Sequence, residues 1–136
     1  MSSINEICWK NLSSVHDNRG VLTSIESDID IPIEINRIFY MHHVTQERGG
    51  HAHIDTDQVV IAISGSFQIE LFDGVDKVTY KMDDPTKGLY IPRMIFINLF
   101  NFSKDAVCLV LASTHYDINK SIRNIDDFNN AIKKIL

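Results

Sequence analysis

The sequence predicts an all-β fold, an antiparallel sandwich or barrel carrying one short helix at its C-terminal end. Three observations lead there. Short runs of β-favouring residues alternate with turn signals at intervals of about 8–12 residues. Asp73-Gly74 separates two alternating segments, Phe67 to Leu71 and Lys77 to Met82, which is a strong hairpin signal. Apolar residues at helical spacing occur in one place only, the tail, where Phe128, Ala131, Ile132 and Ile135 recur.

Taken in order, residues 7–12 read as a short edge strand, or one exchanged with a second copy. His16 to Gly20 reads as a turn and Val21 to Glu26 as the strand after it, with a loop at Asp28 to Pro32. Ile35 to Val44 is a strand in which Ile38, Tyr40 and His42 share one face and Arg37, Phe39 and Met41 the other. Thr45 to Gly50 is a polar loop that leads into His51 and His53. The run after Gln58, Val-Val-Ile-Ala-Ile closing in Ser64-Gly65, reads as a strand buried on both faces. Beyond the hairpin, Pro85 to Gly88 turns into Leu89 to Pro92. Two apolar runs follow, Ile95 to Phe102 and Ala106 to Ala112. The tail helix has acids first and Lys133 and Lys134 last, matching its dipole, and is expected to cover one end of the barrel.

With 136 residues the chain is expected to form a single domain spanning 1–136. A net charge of -5 and the absence of a Lys/Arg cluster argue against nucleic acid and anionic membranes as partners. A phosphorylated ligand would require a few local arginines. The N-terminus lacks the basic and apolar regions of a signal peptide, and no apolar run approaches the roughly 20 residues of a membrane helix. Cys8 and Cys108 are therefore expected as buried free thiols in a cytoplasmic protein.

The chemistry concentrates in Arg48-Gly49-Gly50-His51-Ala52-His53. Two residues apart on a strand, both imidazoles project from one face. The spacing from His51-x-His53 through Gln58 to Gly65 resembles the first motif of the cupins, and Pro92 through Asn101 the second. Metal-binding cupins place a Glu where Gln58 stands and a third His where Ile97 stands. Two histidines, an amide and an isoleucine make a poor metal site, so no metal and no cofactor are expected. Paired imidazoles without a metal are natural general acids and bases near neutral pH.

Further segments carry a closer resemblance: Arg19-Gly20-Val21-Leu22, Arg37-Ile38-Phe39-Tyr40, Ala62 to Phe67, Lys87 to Pro92, Cys108 to Ser113, and Tyr116-Asp117 with Ile122-Arg123. Together they resemble the sugar 3,4-ketoisomerase family of cupins, also called WxcM-like. The resemblance implies a cupin (RmlC-like) double-stranded β-helix barrel, dimeric and metal-independent. It also implies isomerisation of a dTDP-4-keto-6-deoxyhexose to its 3-keto isomer for 3-amino sugars of surface polysaccharides. It casts His51, His53 and Tyr40 as catalytic and Arg19, Arg48, Gln58 and Asn98 as substrate-binding. Phe96-Ile97-Asn98 departs from the family's Trp, basic residue and acid, which makes the lumen more apolar there. Two alternatives stand beside this reading, a related dTDP-sugar 3,5-epimerase and a non-catalytic sugar-nucleotide-binding module.

Overall fold

A computed structural model describes residues 2–135. Twelve strands run β1 (Cys8–Asn11), β2 (Ser13–Asp17), β3 (Gly20–Ser24), β4 (Arg37–His42), β5 (Arg48–His53), β6 (Gln58–Ser64), β7 (Phe67–Phe72), β8 (Lys77–Met82), β9 (Lys87–Ile91), β10 (Phe96–Phe100), β11 (Val107–Ala112) and β12 (Ser121–Ile122). Helix α1 (Ile125–Ile135) ends the chain. A five-stranded sheet in the order β1-β9-β6-β11-β4 faces another in the order β12-β5-β10-β7-β8. All pairings are antiparallel, and the two sheets enclose one core, the architecture expected of the barrel.

Alternation along each strand decides what lies between the sheets. Val60 and Ala62 of β6, Ile69 and Leu71 of β7, Ile97 and Leu99 of β10, and Cys108 and Val110 of β11 turn inward and form the main core. Val59, Ile61 and Leu111 turn outward and are covered by Leu12, Ile31 and Ile33. That cover explains why β6 is apolar on both faces. On the second sheet, α1 lays Phe128 and Ile132 over Ala52, Phe96 and Phe72. Its apolar stripe therefore seals the outward face of the strand that carries the histidines.

The structure corrects several expectations. His16 and Asp17 belong to β2, so the turn is shorter and a whole hairpin, β2–β3, stands where a turn and one strand were expected. β1 is an edge strand, as one of the two readings had it, and pairs with β9 of the same chain; the arm that joins neither large sheet is β2–β3. β5 begins at Arg48, within the expected loop, and the short β12 was not anticipated. Both cysteines are free, but Cys8 is exposed; only Cys108 is buried, and burial pushes its thiol up to about 12. No helix among the described residues is long and apolar enough to cross a membrane.

Candidate active site

The Arg-Gly-Gly-His segment works through a bulge. Across the β5/β10 ladder, Ile97 faces His51, Asn98 faces Gly49 and Leu99 faces Arg48, so one residue of β5, Gly50, is left over. Gly49 and Gly50 both have positive φ, 93° and 73°, the conformation that tolerates glycine best. A Cβ on Gly49 would stand 2.6 Å from the Ile97 carbonyl oxygen. Regular alternation would turn Arg48 away from His51. The extra residue brings Arg48 round to line the same pocket as His51 and His53. Ala52 between the histidines points outward and is fully buried under α1.

The imidazoles of His51 and His53 meet edge to face with centroids 5.1 Å apart. Backbone contacts hold the second: the Met94 amide donates to the His53 carbonyl at 2.8 Å, and Ser121 pairs with His53 across β12. Burial lowers the pKa of His51, reinforced by Arg123 and Arg48. Burial also lowers that of His53, to about 4, with His51 and Arg37 adding repulsion. Both rings are therefore neutral at physiological pH, each with a nitrogen able to accept a proton.

Above the histidines the pocket opens into a mouth of about 440 Å³ bounded by Arg37, Arg48, Arg123, Tyr116 and Ser121. Arg37 is held between two rings, 5.2 Å from the centre of Phe39 and 5.3 Å from that of Tyr116. None of the three arginines forms a salt bridge among the described residues. Arg37 Nε and His53 Nε2 are buried with no hydrogen-bond partner. Buried polar atoms are normally paired, so two orphans in one pocket point to a ligand that completes them. Below His51 lies an inner chamber of about 120 Å³, lined mainly by apolar side chains, with Gln58 in its wall. Among the described residues, no group of three or more His, Cys, Asp or Glu is placed to hold a metal ion.

Of the residues expected at the site, His51, His53, Arg48 and Gln58 do come together. Three do not. Tyr40 lies on the outward face of β4 and is 64% exposed, whereas Arg37, Phe39 and Met41 of the same strand face the lumen. Asn98 alternates with Ile97 and Leu99, both of which line the chamber, so it points outward. Arg19 sits at the tip of the β2–β3 hairpin, 86% exposed and paired with Asp17 at 2.6 Å. The sequence reading missed Arg37, Tyr116 and Arg123 as site residues. Their signal was present in the inward set of β4 and in the Tyr116 and Arg123 motifs near the tail.

A family model described as WxcM-like, C-terminal, matches residues 5–133. The chain belongs to the WxcM-like family. This WxcM-like chain is 37% identical over 129 residues to the TDP-4-oxo-6-deoxy-alpha-D-glucose-3,4-oxoisomerase of Aneurinibacillus thermoaerophilus, covering 92% of the chain and 91% of that protein. It superposes on the sugar 3,4-ketoisomerase QdtA of Thermoanaerobacterium thermosaccharolyticum, solved with TDP, at a TM-score of 0.93. The identity is 34%, with 98% and 99% of the two chains covered. The TDP-quinovose 3,4-ketoisomerase WlaRB of Campylobacter jejuni gives a TM-score of 0.88 at 39% identity, covering 93% of this WxcM-like chain and 99% of its own. The rmlC epimerase of Mycobacterium tuberculosis, at 13% identity and a TM-score of 0.75, shares the barrel and shows the fold alone.

Proposed function

We propose that the chain is a single-domain sugar-nucleotide isomerase that converts a TDP-4-keto-6-deoxyhexose into its 3-keto isomer by metal-independent acid–base catalysis. The observation that carries this is one pocket that holds two partly buried histidines together with three arginines that form no salt bridge among the described residues. In a chain of net charge -5 such a mouth suits a diphosphate, which guanidinium groups bind well. The relatives' activity, 3,4-oxo- or ketoisomerisation of TDP-linked sugars, supports the same reading.

The chemistry follows from the groups present. Removal of the C3 proton by a neutral imidazole gives an enediolate whose negative charge rests on the C4 oxygen. Transfer of the proton from the C3 oxygen to the C4 oxygen, with delivery of a proton to C4, then gives the 3-keto isomer with a C4 hydroxyl. One histidine handles the carbon-bound proton and the other the hydroxyl proton. The guanidinium of Arg37, beside His53, stabilises the oxyanion in place of the outward-facing Tyr40. A 3-keto product is what an aminotransferase needs to set nitrogen at C3.

The epimerase alternative has only fold-level likeness behind it. Assembly as a homodimer is supported by the β2–β3 hairpin, which pairs with neither large sheet and exposes Val15, Val21 and Leu22. Ile38 and Tyr40 expose a second apolar strip on the edge strand β4. Cytoplasmic residence fits two free thiols. Incubation with TDP-4-keto-6-deoxyglucose followed by NMR tests the function. A new 3-keto species is expected, formed equally well after exhaustive chelation. An epimerised 4-keto sugar, or unchanged substrate, would overturn the proposal.

A further inference from the structure

The inner chamber beneath His51 is not needed to bind a diphosphate, and it is unlike the mouth above it. Val60, Ile69, Ile97, Leu99 and Val110 supply most of its wall. It joins the mouth through Phe39, Arg48 and His51, which line both spaces. Ile97 stands directly across the ladder from His51 and is 6% exposed. Whatever part of a ligand lies just beyond the reacting carbons therefore meets Ile97.

We infer that this chamber receives the C5 methyl group of a 6-deoxyhexose and that Ile97 is the residue that selects it over a hydroxymethyl group. The inference rests on the sugar-nucleotide reading above. With the diphosphate on C1 held at the arginine mouth and C3 and C4 presented to the histidines, the substituents flanking the reacting carbons are the C2 hydroxyl and the C5 methyl. Only the methyl enters an apolar wall without losing hydrogen bonds to water. His51, Arg48 and Gln58 are the polar side chains that reach this space, and in the proposed pose the oxygens on C3 and C4 take them up. A hydroxyl on C6 finds none left and remains unpaired against Ile97 and its neighbours.

Binding of TDP-6-deoxyglucose and TDP-glucose, which differ only by the C6 hydroxyl, measured by calorimetry, tests this without requiring turnover. The native protein is expected to bind the 6-deoxy compound roughly 10–100-fold more tightly, the range an apolar pocket gives against an added hydroxyl. Ile97→Thr keeps the β-branch and its fitness for a strand while replacing the ethyl arm with a smaller hydroxyl. It is expected to shrink the preference to about fivefold or less, mainly by tightening TDP-glucose, with TDP itself unaffected. Equal affinity of the native protein for both sugars, with TDP still bound, overturns the methyl-site inference alone and needs no variant. Failure of TDP and both sugars to bind overturns the reading beneath it. A preference that Ile97→Thr leaves unchanged removes Ile97 as its cause.

Discussion

At the scale of single residues, the base role proposed for the histidine pair depends on its being kept neutral. Burial among arginines disfavours the imidazolium, more strongly at His53, whose pKa falls to about 4. A base works only when unprotonated, so the acid limb of kcat/KM is expected below the usual histidine value of about 6.5, reaching about 4 where His53 is the base. A limb at pH 6.5 or above in a pH–rate profile would contradict it. The same depression lets the unfolded chain bind more protons than the folded one between pH 6.5 and about 4. Stability contributed by the buried neutral histidines is thus present above 6.5 and is lost as pH falls through that window. Tyr40 separates the sequence reading from the structural one. Its outward place predicts that Tyr40→Phe leaves kcat within about twofold, since surface changes away from a site are usually minor. The two faces of β4 were legible in the sequence as Ile38, Tyr40, His42 against Arg37, Phe39, Met41. Alternation alone does not say which set faces inward. A hydroxyl made Tyr40 the attractive choice, while packing against β11 and the lumen chose Phe39.

At the scale of elements, the bulge in β5 does most to build the site. It lets Arg48 and His51 share a face despite an odd spacing, which period-two counting cannot foresee. The paired glycines Gly49-Gly50 were the visible sign, read as part of a loop. Gly49→Ala is expected to cost about 1–2 kcal/mol from the left-handed backbone alone, before the contact with Ile97 is added. Denaturant melts and sugar-nucleotide affinity should fall together, because Arg48 and His51 depend on the same distortion. Unchanged stability with unchanged affinity would mean the bulge has no such role. Helix α1 supports the strand from behind. It was legible from its 3.6-residue stripe, and Phe128 packs against Phe72 and Phe96 at 5.9 and 5.5 Å. The departure at Phe96-Ile97-Asn98 divides by the same alternation. Phe96 feeds the helix contact, Ile97 the chamber, and Asn98 neither.

For the whole molecule, the barrel was readable because its turns and alternating runs are local signals. The hairpin β2–β3 was legible only in its second half: Val21 to Glu26 read as a strand, whereas Ser13 to Asp17 does not until its pairing is seen. An isolated two-stranded hairpin is marginal in water, so its exposed Val15 and Leu22 call for a covering surface. A homodimer is expected by light scattering, and Val15→Lys with Leu22→Lys should convert it to a monomer. A native monomer at micromolar concentration would contradict that assembly. The central claim is that the histidine pair carries the proton transfers, and the most direct measurement is turnover of TDP-4-keto-6-deoxyglucose by His51→Asn and His53→Asn, with TDP affinity measured alongside. Each variant is expected to lose roughly 10²–10⁴-fold in kcat while binding TDP within a few-fold of the native protein. Native-like kcat in both variants would contradict the account and leave the histidines as structural residues of β5.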